Sequence, residues 1–232
     1  NTMLADSLNW IADKLEAELA TGTSKPVAAI KVLKELMEGH SNVIFGGDGY
    51  SSEWHRMAVE ERGLKNLPTS ADALPAFRDE AVVKLFSSTG VLTPVELASR
   101  FEVYSEQYLL SIEVEAKLVV DMATTMIYPA AVEYLSQIAG TASSMAALNI
   151  TLDSGVASAV AGKANAMMAA VATLNAALDV HDFDSTEAHM QYAASTLRSL
   201  MVEVRNHADT LETLVADDLW PLPKYSEMLF IK

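Results

Sequence analysis

Five histidines, at positions 40, 55, 181, 189 and 207, are the scarce groups on which metal or acid–base chemistry would rest. A dinuclear site in a helical bundle needs two Glu-x-x-His pairs and two further Glu, and no His here has a Glu three residues before it. Glu203 and His207 share a helix face, which predicts a solvated pair rather than a metal centre. The chain also has no His-Glu-x-x-His, no Gly-x-Ser-x-Gly and no Gly-x-x-x-x-Gly-Lys-Ser/Thr. Gly46-Gly47-Asp48-Gly49-Tyr50 is the one loop that could cradle a phosphate. A cradle needs converging N–H groups at a helix N-terminus and a nearby cation. Asp48 places a negative charge in the middle and no Lys follows, so a tight turn is expected instead, with Tyr50 and Trp54 packing back on the helices.

One carboxylate stands apart. Leu97, Phe101, Tyr104, Tyr108, Ile112, Val119, Met122 and Met126 recur at helical spacing, with Glu115 at the centre of their stripe. A carboxylate on a buried seam must be paired or have its pKa raised. Arg205 and Lys117 are the candidate partners; Lys117 points to another face, so Arg205 is the better placed. Near the end, Leu219-Trp220-Pro221-Leu222-Pro223-Lys224-Tyr225 could serve as a proline-rich ligand. A helix stop whose Trp220 and Tyr225 fold back over the bundle is the preferred reading, with Leu229-Phe230-Ile231 as an apolar tail.

The elements that must position these groups are helical. Leu4, Leu8, Ile11, Leu15 and Leu19 mark one helix over 2–20, and Val27, Ile30, Leu33 and Met37 mark the next, opened by Pro26 and closed by Gly39. Val43 to Phe45 reads as a short extended piece, and the three following glycines predict unusual backbone angles. A short helix is expected from Ser52 to about Arg62, then short helical turns up to Gly90. Thr93-Pro94-Val95-Glu96 is a capping box that opens a helical run to about Asn149, expected to bend at Pro129. Two more helices follow, over about 154–178 and 186–216. The last carries a heptad seam: Met190, Ala194, Leu197, Met201, Val204, Ala208, Leu211 and Val215. The expected fold is therefore all-α: three or four long antiparallel helices, with short helices and the glycine-rich loop packed on them. Its two parts, residues 1–92 and 93–232, are expected to form one structural unit.

Composition limits the function. The chain has 16 Lys plus Arg against 31 Asp plus Glu, a net charge of −15, which argues against nucleic-acid binding. It has no Cys, so it can form no disulfide or thiolate metal site, and a cytoplasmic location is expected. The Ala-rich stretch 154–178 is interrupted by Lys163, Asn165 and Asn175, so no membrane span is expected there. The chain opens on Asn1 rather than Met, which predicts a processed product or an excised piece.

Three segments carry a resemblance. Val43-Ile-Phe-Gly-Gly-Asp-Gly-Tyr-Ser-Ser-Glu-Trp54 is the first. The second is Val114-Glu-Ala-Lys117 with Asp121-Met-Ala123 and Pro129-Ala-Ala131. The third is Leu219-Trp-Pro-Leu-Pro-Lys-Tyr-Ser-Glu-Met-Leu-Phe230. Together they resemble the C-terminal region of type III glutamine synthetases, and Asn1-Thr-Met-Leu-Ala-Asp-Ser-Leu8 resembles the stretch just after that family's catalytic core. Gly46 stands where the family usually has Asn.

The resemblance implies a parent enzyme that joins glutamate and ammonia using ATP and Mg²⁺, with those contacts upstream. It places no catalytic, cofactor or metal residue in this chain. It implies a non-catalytic helical C-terminal domain serving assembly, stability or regulation, partnered by the parent catalytic domain and sister subunits of a homo-oligomer. Gly47, Asp48, Gly49, Tyr50, Trp54, Glu115, Arg205 and Trp220 remain candidates for a structural or regulatory role. Two other readings stay open: a free-standing interaction or sensor module that dimerises through its heptad seams, and an enzyme using Glu115 with the glycine-rich loop.

Overall fold

The capping box is made as its residues dictate. Glu96 accepts from the Thr93 N–H at 2.7 Å and from its hydroxyl at 2.8 Å, while Thr93 Oγ1 accepts from the Glu96 N–H at 3.3 Å. From that start the computed structural model, which describes residues 1–229, carries one helix through to residue 146. Among the described residues every regular element is helical, as the apolar periodicity requires. In order they are α1 (Thr2–Ala20), α2 (Lys25–Gly39), α3 (Ser52–Glu60), α4 (Ser70–Ala73), α5 (Glu80–Ser88), α6 (Pro94–Met122), α7 (Tyr128–Ala146), α8 (Gly155–Leu178), α9 (Thr186–Tyr192), α10 (Arg198–Glu212) and α11 (Tyr225–Leu229). The chain forms two compact units, Asn1–Tyr104 and the part from Ser105 onward, so the division falls inside α6.

In the first unit, α1 and α2 form a hairpin turned at Gly22, whose φ of +86° suits a residue without a side chain. Lys14 pairs with Glu35, and Glu18 with Lys31 at 2.9 Å, as antiparallel helices require. Ala28, Val32, Ala71, Leu97 and Phe101 make the core, and the Arg78 guanidinium lies 5.0 Å from the Phe101 ring centre. The expected apolar stripes sit differently. α1 has no fully buried residue, and α2 buries Ala28 and Val32 while Ile30, Leu33 and Met37 face outward.

In the second unit, α8 lies against α7 and α10. It is long and apolar enough to cross a membrane by length and composition, and Val160, Ala164, Met167, Val171 and Leu174 form its buried seam. The heptad helix buries Met190, Leu197, Val204, Ala208, Leu211 and Val215, so its seam is consumed within the unit rather than offered for dimerisation.

At Pro129, where a bend is expected, the helix is not interrupted. The helix instead widens one turn earlier, in a π-turn over Ala123–Ile127 where the Tyr128 N–H reaches the Ala123 carbonyl, and then continues through the proline. A proline ring clashes with the carbonyl four residues before it, and the wider turn gives that carbonyl room. A second π-turn spans Ala193–Leu197, with the Arg198 N–H on the Ala193 carbonyl. It brings Ala193 rather than Ala194 onto the buried seam.

Candidate functional site

The glycine-rich loop is built from its aromatic neighbours. Ser41–Val43 is a single 3₁₀ turn rather than an extended piece; Ile44 is the extended residue. Phe45 and Trp54 stack at 4.0 Å with 17° between planes. The Arg62 guanidinium lies 5.1 Å from the Trp54 ring and 5.6 Å from the Phe45 ring, and it donates to the Ile44 carbonyl at 2.7 Å and the Asn42 carbonyl at 3.3 Å. Gly47 leaves room for the Phe45 ring: a Cβ there would fall 2.5 Å from Phe45 Cζ, so a larger residue would need the ring to shift. None of Gly46, Gly47 or Gly49 lies at positive φ, so the expectation of unusual angles fails; the positive-φ glycines are Gly22, Gly63 and Gly90.

Asp48 is a turn residue. Its Oδ1 accepts from the Tyr50 N–H at 2.9 Å and its carbonyl accepts from Ser51 Oγ, which also caps α3 by accepting from the Trp54 N–H. A carboxylate at the turn and a cation committed to carbonyls and rings do not fit a triphosphate. Trp54 packs on Phe45 and Arg62, and Tyr50 does not pack back: it is 95% exposed at the loop tip.

The Glu115 expectation is overturned. Glu115 is exposed and Ala116 takes the buried place beside it. The seam of α6 keeps Leu97, Phe101 and Ile112 of the expected stripe but takes Ser105, Leu109 and Ala116, one residue beyond Tyr104, Tyr108 and Glu115, and continues at Ala123 of the π-turn. Small residues let neighbouring helices approach closely, and a reading weighted toward large side chains misses them. Glu115 and Arg205 do line one groove of about 350 Å³, with Leu118, Met122 and Met201, but Arg205 Nε donates to Asp209 at 3.3 Å. Among the described residues Glu115 has no ion partner.

The paired carboxylate is Glu113. It lies 3.5 Å from His189 Nε2 and 3.9 Å from Lys117 Nζ. Phe183 stacks on His189 at 4.3 Å and meets Tyr192 at 5.1 Å, and the Tyr192 hydroxyl donates to the Ala177 carbonyl at 3.0 Å. This cluster ties α6, α8 and α9 together. Spacing along the chain could not have found it, because its members come from separate elements. His207 is half-buried with Nδ1 lacking a hydrogen-bond partner among the described residues, so it is not the solvated group expected.

Trp220 does fold back. It is 8% exposed and lines a groove of about 350 Å³ with Val119, Ile127, Val204, Leu222 and Pro223, rimmed by Arg205, Asp209 and Glu212. Tyr225, expected to do the same, is exposed; Phe230 and Ile231 of the expected tail lie outside the described residues. Among the described residues no group of three or more His, Asp or Glu comes together.

Comparison with known proteins adds what the geometry lacks. Residues 28–146, just over half of the chain, match the glutamine synthetase C-terminal domain family. The whole chain is 34% identical to the type-3 glutamine synthetase of Dictyostelium discoideum, covering 32% of that protein. It is 29% identical over its whole length to the glutamine synthetase of Bacteroides fragilis (strain YCH46), covering 33% of it. The glutamine synthetase of Butyrivibrio fibrisolvens is 29% identical over 86% of the chain. The chain thus spans about a third of the length of the curated relatives it matches.

Proposed function

This chain belongs to the glutamine synthetase C-terminal domain family, and from that premise we propose that it is the non-catalytic helical part of a glutamate–ammonia ligase, serving assembly, stability or regulation. The observation that carries the reading is the family match over residues 28–146, continued by the full-length likeness to the relatives. The donor chemistry agrees. The glycine-rich loop spends its polar groups on itself, Arg62 is engaged with carbonyls and rings, and the Glu113–His189 contact fastens helices.

In this reading ATP and Mg²⁺ belong to the parent enzyme and are held outside this chain. The partners are the parent's catalytic portion and sister subunits of a homo-oligomer in the cytoplasm. The test is direct. The full-length gene product should form glutamine from glutamate, ammonia and ATP, while the 232-residue chain alone forms none and shows no heat of ATP–Mg²⁺ binding. Micromolar ATP binding by the chain alone, or a full-length product with no ligase activity, would refute the assignment.

A further inference from the structure

The first two helices bury little of what their sequences offer. In α2 the residues Pro26, Ile30, Leu33 and Met37 follow steps of four, three and four, the spacing of a seam that receives one neighbouring helix. That seam is empty within the unit: Ile30 is 66% exposed, Leu33 57% and Met37 62%, while Ala28 and Val32 on the other side are buried. A helix with apolar residues on both sides is ordinarily buried on both. Beside it, α1 leaves Leu4 and Leu8 exposed. Next to the start of α1, Asn1, Thr2 and Met3 form one wall of an apolar groove of about 450 Å³ whose other walls include Phe77, Leu85 and Phe86.

We infer that the outward face of α2, at Ile30, Leu33 and Met37, is the docking surface for the polypeptide that precedes Asn1 in the full-length protein. The inference rests on the reading of the chain as part of a longer glutamine synthetase. Two observations choose this occupant. The relatives are about three times as long as the matched region, so a large body of chain is available to cover the face. The uncovered apolar surface of the first unit includes the elements nearest that body in sequence, with the groove at Asn1 where it would join. The occupant's chemistry follows from α2: a single apolar helix with an acidic flank opposite Lys34, whose ion pair among the described residues is with Glu38 at 3.7 Å.

Methionine oxidation tests this, because Met37 reports on its own exposure. Brief peroxide treatment followed by peptide mass spectrometry compares the 232-residue chain with the full-length protein. Met37 should oxidise readily in the chain alone and at least about tenfold more slowly in the full-length protein. Met167 and Met190, both fully buried, should stay slow in both and certify the fold. Leu33→Asp in the full-length protein should restore Met37 oxidation while leaving Met167 and Met190 protected. Equal Met37 rates in both proteins would overturn the inference. So would a dimer of the isolated chain by light scattering with Met37 already protected, which would make a second copy the occupant. A full-length protein that makes glutamine but leaves Met37 exposed defeats the docking surface alone, whereas one that protects Met37 without making glutamine defeats the ligase reading alone.

Discussion

Thr125 and Ser195 hold the same place in two separate π-turns, each the third residue of its five. The Thr125 hydroxyl donates to the Asp121 carbonyl at 2.7 Å and the Ser195 hydroxyl to the Gln191 carbonyl at 2.6 Å. A hydroxyl that bonds the carbonyl four residues back competes for the helix ladder and loosens it. In the first turn Pro129 adds its own demand, since it has no N–H for the Thr125 carbonyl. The widening therefore absorbs a proline that would otherwise cost a helix interior about 3 kcal/mol.

Pro129→Ala should accordingly gain little. We expect a change in unfolding free energy of less than about 1 kcal/mol, with helical circular dichroism unchanged. A gain near the full interior cost, about 3 kcal/mol, would show that the π-turn relieves nothing.

Leu197 closes the second π-turn and is buried to 2% exposure. Leu197→Ala should destabilise the chain by about 2–5 kcal/mol in urea unfolding, through lost transfer energy and the cavity left behind. A loss below about 1 kcal/mol would mean that the turn collapses to fill the space.

Glu115→Ala should change stability by no more than about 0.5 kcal/mol, because the side chain is exposed and unpaired among the described residues. Urea titration of this variant separates the observed placement from the buried pair expected from periodicity, whose loss would cost about 3–5 kcal/mol.

Gly47→Ala should disturb the aromatic stack. The new Cβ meets the far edge of the Phe45 ring, which is stacked on Trp54, so a shift of the ring disturbs that stack. The expected loss is about 0.5–1.5 kcal/mol, the worth of such a pair, with a changed near-ultraviolet signal from Trp54. An unchanged spectrum would mean the loop yields instead of the ring.

Glu96 supplies a pH dependence. The Thr93 N–H and then its hydroxyl hold the Glu96 carboxyl below the usual carboxylate value of 4.5. A lowered folded pKa means that the stabilisation is present above about pH 4.5 and is lost as pH falls through the folded value. Glu96→Gln should therefore flatten the acid limb of the stability profile below about pH 4.5 and leave its slope near neutrality alone. An unaltered acid limb would show that other carboxylates set it.

The residue pattern by itself determined the helices, the capping box, the seam of the heptad helix and the family. Each is local or one-dimensional: steps of three and four, a Thr three residues before a Glu, or an ordered set of motifs. Of the expected seam, Met190, Leu197, Val204, Ala208, Leu211 and Val215 are buried and needed no partner to be read, whereas Ala194 and Met201 are only half-buried. Tertiary structure alone decided which face of α6 is buried, because Ser105, Ala116 and Ala123 win their places by allowing close approach, which hydrophobicity does not register. It also decided that Glu113 rather than Glu115 finds a partner, since His189 arrives from another element. It turned the large side chains of α2 outward, because within this unit Ala28 and Val32 fit the space against their neighbours and Ile30, Leu33 and Met37 do not enter it.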